Sequence, residues 1–167
     1  MDQNGNNSSE LLTKVREEAR RLLGVAKTIR EQKQDGNEQY AKQYLILPML
    51  RALGYTTDSF PPEVRPEYQI KVEFSKSETK YLDYAIYIDD ATQPSIFVEA
   101  KALNKNLDDH VEQLANYHKQ EDNVKVSILT NGEEWRIYIT KDGHSSDMSR
   151  EPILKVNLSA LINKKID

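Results

Sequence analysis

No cysteine occurs among the 167 residues, which rules out disulfides and thiolate metal sites. No apolar run approaches the roughly 20 residues of a bilayer-spanning helix, so no membrane partner is expected. The opening, MDQNGNNSSE, lacks the basic and apolar regions of an export signal, and a cytoplasmic protein is the expectation. Positive charge is not in excess: Lys and Arg number 23 against 27 Asp and Glu, for a formal net charge of −4 and a pI near 5.5. That balance argues against a protein that coats nucleic acid through many phosphate contacts. It leaves room for an enzyme that touches phosphates over a small patch. The phosphate-cradling pattern G-x-x-x-x-G-K-[ST] is also missing, so no P-loop motor is read in these residues.

What is present reads as one domain of helices and a sheet. Residues 1–9 are polar and are expected to be a disordered tail. Across 10–34, Leu11, Val15, Leu22, Ala26 and Ile29 recur at helical spacing with charges between, which predicts an amphipathic helix. It serves either dimerisation or packing on its own sheet. A second helix is predicted from Glu38 to Leu53, stopped by Gly54, with Tyr44, Leu47, Leu50 and Leu53 as its apolar stripe and a local adjustment at Pro48. The period then changes to two in EVRPEYQIKVEF and YLDYAIYID, DDATQP reads as a turn, and SIFVEAKAL follows as a buried strand. A third helix over about 108–119 leads to two strands joined through Asn131-Gly132, a hairpin signal. The last apolar stretch, ILKVNLSALI, suits a strand or a short helix. The fold class is α/β in the broad sense (α+β), a sheet with helices packed on it.

SIFVEAKAL is odd for a core strand, because Glu99 and Lys101 lie two apart on the face of Phe97 and Leu103. If the preceding turn centres on Ala91, Asp83 of the upstream strand stands directly opposite Glu99, with Cβ atoms about 5 Å apart. Two carboxylates that close repel each other unless compensated. A divalent cation compensates well: Mg²⁺ or Mn²⁺ takes hard oxygens, here Asp83, Glu99 and the Ala100 carbonyl, plus waters and a substrate phosphate. Lys101 would then position or activate water and neutralise developing charge. Glu-x-Lys alone means little, since the chain has three instances, and the bland reading of 99–101 is an ion pair at a strand end. In the helix that follows, Val111, Leu114 and His118 make a core stripe, and Gln113 and Tyr117 share an adjacent face, either as a polar shoulder or at the edge of the site.

Asp83, then Glu-Ala-Lys ending a strand, then a helix with Q-x-x-x-Y: this chain resembles the PD-(D/E)xK nucleases. More closely, it resembles the N-terminal nuclease domain of type I restriction enzyme R subunits and their short stand-alone relatives. The matching segments are NEQYAKQYLILPMLRALGY, EVRPEY, LDYAIYI, IFVEAKAL, QLANY and VSILTNGEEWRIY, spanning about 37 to 138. The resemblance implies a restriction-endonuclease-like mixed sheet over 35–167. It also implies metal binding by Asp83 and Glu99, catalysis by Lys101, and support of the site or of DNA by Gln113 and Tyr117. A helical glutamate is expected ten residues before Pro48, which is Glu38. Two positions depart from the pattern: Leu82 precedes Asp83 where the superfamily is named for proline, and Tyr40 stands where relatives tend to have threonine.

The leading expectation is a Mg²⁺-dependent DNA endonuclease of restriction type, acting alone, as a homodimer, or with separate motor or specificity subunits. The alternative is a non-catalytic DNA-binding or docking module of a larger restriction or repair complex. Of the three histidines, His118 is read as a core-edge residue, His110 as close enough to the helix start to meet phosphate, and His144 as a loop residue. Trp135 and Tyr138 are read as packing residues. Lys105, Lys119 and Lys125 read as solvated lysines or, failing that, a DNA path.

Overall fold

Charges and apolar residues on the first helix alternate so that one stripe can be buried, and that stripe anchors the fold. The computed structural model describes residues 3–70, 79–89, 92–141 and 147–163. In it, α1 (Gln3–Glu31) buries Val15, Ala19, Leu22, Ala26 and Ile29, and leaves Leu11 exposed. The helix starts within the stretch expected to be a disordered tail. Its stripe is covered by its own chain, in one cluster with Leu45, Met49 and Leu50 and with Val98 and Ile128 of the sheet.

The second helix is not uniform. α2 (Glu38–Ala41) is capped by the Asn37 side chain, which accepts the Gln39 N–H at 3.1 Å. Lys42–Ile46 then form a π-helical turn, and α3 (Leu47–Ala52) completes the element before Gly54 at φ +103°. Proline has no N–H to give to the preceding turn, and the wider turn just upstream of Pro48 absorbs that mismatch. The buried face is therefore Ala41, Leu45, Ile46, Met49 and Leu50. The expected stripe is wrong in part, since Tyr44 and Leu53 are exposed.

Six strands follow in spatial order β1-β2-β3-β4-β5-β6: Val64–Ile70, Lys80–Ile86, Ile96–Ala100, Val126–Thr130, Glu134–Ile139 and Leu154–Asn157. Four neighbouring pairs are antiparallel, and β3 and β4 are parallel. A parallel pair needs a crossover, supplied by a 3₁₀ turn (Leu107–His110) and α4 (Val111–His118). ILKVNLSALI is both strand and helix: β6 runs straight into α5 (Leu158–Asn163). The mixed sheet carries α1, the π turn and α3 on one face. On the other, Leu107, Leu114, Ala115 and Tyr117 cover Ala85, Phe97, Leu129 and Tyr138. Part of the expected first strand (71–74), the turn residues Asp90 and Ala91, and His144 lie outside the described residues.

Two loop details fix the parts of the sheet that matter later. In the β4–β5 hairpin, Gly132 has φ +93°, and a Cβ there would sit 2.6 Å from Cβ of Leu45. Asn131 accepts the N–H groups of Glu133 and Glu134 and donates to the carbonyls of Leu103 and Lys105, tying the hairpin to the chain that leaves β3. Gly132→Ala is expected to cost about 2–4 kcal/mol in urea unfolding, from backbone strain plus overpacking against the π turn.

His118 is wholly buried, its Nδ1 2.8 Å from Ser127 Oγ. Burial pushes its pKa down to about 4, helped by Lys125. A neutral core histidine takes up a proton only when the chain unfolds, between about pH 6.5 and 4. Its stabilising contribution is thus complete above pH 6.5 and is lost as pH falls to about 4. An NMR titration should show the His118 ring unchanged between pH 7 and 5.

Candidate active site

The register of β2 and β3 builds the site. Tyr84 pairs with Val98, Ala85 with Phe97 and Ile86 with Ile96, so continuing the ladder sets Asp83 opposite Glu99, the arrangement a turn centred on Ala91 requires. Regular alternation breaks down here. Leu82 and Ala85, three apart on one strand, both join the cluster under α4. On β1 the pairing passes from Pro66 to Tyr68, skipping Glu67, which holds φ +53°. That left-handed conformation costs a bulky residue about 1–3 kcal/mol, and such strain gathers at sites. Beyond Ala100 the chain leaves the strand, so Leu103 packs with Val98 and Ala100 rather than on the expected face of Phe97.

Glu99 and Lys101 are both buried, at 3% and 8% exposure, and the Lys101 ammonium donates to Glu99 Oε1 at 2.6 Å. Glu99 Oε2 is buried and has no hydrogen-bond partner among the described residues. Burial is the main cause pushing the Glu99 pKa up to about 7; Asp83 and, more weakly, Glu38 add to it, and Lys101 opposes it. Asp83 accepts the Ala100 N–H through Oδ2 at 2.7 Å and pairs through Oδ1 with Lys42. The Lys42 ammonium also stands 3.3 Å from Glu38, one helical turn back. Burial works against its charge, but the hydrogen bond and charge of Asp83, with Glu38, outweigh that and hold its pKa above the ordinary lysine value.

Asp83, Glu99, Lys101 and Glu38 are thus brought together, and Lys42 joins them. The signal for Lys42 was present in the sequence, since a lysine four residues after Glu38 must share its helix face. A small cleft of about 240 Å³ opens beside it, lined by Gln39, Lys42, Gln43, Thr57, Glu67, Asp83 and Tyr84 among others. His110 lies close enough for Lys101 to add to the burial that lowers its pKa. Gln113 and Tyr117 line a different cleft from that of Lys42 and Asp83. The Gln113 amide donates to the Tyr117 hydroxyl at 3.0 Å, and both line a second cleft with Lys80, Tyr81 and Asn116. Of the surface lysines, Lys119 pairs with Asp147 at 3.5 Å.

Among the described residues no group of three or more His, Asp or Glu side chains is set to hold an ion. The donors on offer are two facing carboxylates and backbone oxygen. All are hard, and one is a buried carboxylate oxygen left without a partner. That set fits Mg²⁺ or Mn²⁺, which complete their shells with water and substrate oxygen.

A mixed sheet that gathers acids and lysines where two of its strands lose their regular alternation defines a class: α+β domains with a carboxylate–lysine site at the end of a central strand. Within that class the family can be given. Residues 37–150 match the model for the type I restriction enzyme R protein N terminus (HSDR_N), and the chain belongs to that family. No curated protein and no solved structure matches it. No helix among the described residues is long and apolar enough to cross a membrane.

Proposed function

We propose that this protein is a Mg²⁺- or Mn²⁺-dependent DNA endonuclease of restriction type. The observation that carries the reading is the buried, unpartnered Oε2 of Glu99, paired on its other oxygen with Lys101 and facing Asp83. A carboxylate held at that depth with an idle oxygen is costly unless something else uses it. Asp83, Glu99 and the Ala100 carbonyl are the residues that would hold the cation, with Glu38 at the rim. When bound, it would supply a lowered pKa for a coordinated water and charge stabilisation on the phosphodiester.

The chain's own groups do the rest. Lys101 presents an ammonium where charge builds on the phosphate, and Glu99 holds it in place. Asp83 is oriented by the Ala100 amide, so the strand fixes the distance between the two acids. Gln113 and Tyr117, on a neighbouring cleft, are assigned to DNA contact rather than to the reacting atoms. Membership of the family supports work alongside motor and specificity subunits, and a homodimer is an alternative way to reach both strands.

The test is incubation of supercoiled plasmid and of single-stranded circular DNA with Mg²⁺ or Mn²⁺. Nicked or linear products that vanish with a chelator are the expected result. DNA retention that weakens with salt, with no cleavage of either substrate, would mark a non-catalytic binding module instead.

A further inference from the structure

The two acids at the centre of the site differ in what they leave free. Glu99 has one oxygen on Lys101 and one without a partner. Asp83 has a partner on each oxygen, the Ala100 N–H on Oδ2 and the Lys42 ammonium on Oδ1. Any cation that reaches Asp83 through Oδ1 meets an ammonium already in place, and two cations at one carboxylate oxygen repel strongly in a buried setting. Lys42 also has somewhere to go. It begins the π turn, Glu38 stands 3.3 Å away with its side chain 40% exposed, and the cleft lined by Gln39, Gln43 and Thr57 opens beside it.

Building on the metal-dependent reading above, we propose that Lys42 is a built-in competitor for the metal at Asp83, giving way toward Glu38 and the cleft, where it meets a phosphate of bound DNA. The flexible four-carbon stem of lysine allows that movement without a change of backbone. The site then trades one cation for another, and the displaced ammonium becomes a phosphate contact.

Mn²⁺ titration by calorimetry at fixed pH tests this on wild type, Lys42→Met and Asp83→Asn. Met keeps the apolar stem and removes the charge. The expected result is Mn²⁺ binding about tenfold tighter or more in Lys42→Met, with weaker retention of DNA, and binding lost in Asp83→Asn. Equal or weaker Mn²⁺ binding by folded Lys42→Met, when wild type does bind, overturns the role of Lys42 and leaves the metal site standing. Failure of wild type to bind Mn²⁺ at all overturns the metal reading and this inference with it. An assay on wild type alone covers the case of a variant that does not fold: acylation of Lys42, mapped by mass spectrometry, should speed up at saturating Mn²⁺. Unchanged labelling of Lys42 beside bound Mn²⁺ overturns the proposal.

Discussion

Lys101→Met and Asp83→Asn should each lower metal-dependent DNA cleavage about 10³-fold or more, for different reasons. Lys101→Met keeps the stem buried and deletes the ammonium proposed to face the reacting phosphate, a loss comparable to removing one preorganised donor together with an acid–base group. Its effect falls on kcat and leaves Mn²⁺ binding in place. Asp83→Asn removes charge from the carboxylate opposite Glu99 while keeping an acceptor for the Ala100 N–H. There Mn²⁺ binding fails and cleavage fails with it. Calorimetry beside a plasmid assay separates the two. Cleavage that survives either substitution would mean the phosphodiester is attacked elsewhere in the molecule.

A second large effect concerns stability, and its sign runs against intuition. With its pKa raised from 4.5 to about 7, Glu99 binds its proton more tightly in the folded protein than in the unfolded chain. Between those values the folded state holds more protons, so stability falls as pH rises, and the deficit is complete above pH 7. Glu99→Gln mimics the protonated acid. It should be more stable than wild type by about 1–3 kcal/mol at pH 8 without metal, and equal to it near pH 4. Urea unfolding at the two pH values reads this directly. Added Mg²⁺ should raise the wild-type midpoint and leave the variant unmoved. A variant less stable than wild type at pH 8 would mean that the ion pair with Lys101 outweighs the burial of Glu99. His118 titrates in the same window with the opposite sign, so the comparison is made between variants, where its contribution cancels.

The parts of this fold that side-chain pattern governs were legible in the sequence. Asp83 stands against Glu99 only if the turn centres on Ala91, since a slip of one residue moves a strand's side chains to the other face, and the register of β2 and β3 meets that condition. Gly54 and Gly132 were legible for a similar reason, since each adopts a backbone conformation that side chains disfavour. What the sequence hid is carried by backbone hydrogen bonding. The π turn at Lys42–Ile46 changes which residues share a helix face, so the stripe drawn through Tyr44 and Leu53 failed. Glu67 in a left-handed conformation leaves no mark in a run that reads as plain strand. The spacing of Glu38 and Lys42 puts them on one helix face, but only the arrival of Asp83 from a strand some forty residues later makes Lys42 a buried charge.

The π turn also separates two duties along a single helix. In a regular helix, turning Glu38 and Lys42 by one residue would turn Met49 and Leu50 with them, about 100° per residue, and the core would object. With an extra residue looped out between them, the angular phase of the charged end is set independently of the phase of the apolar end. Chemistry at one end can be retuned while packing at the other stays fixed, and shortening the chain by one residue between Gln43 and Ile46 would lock the two together again.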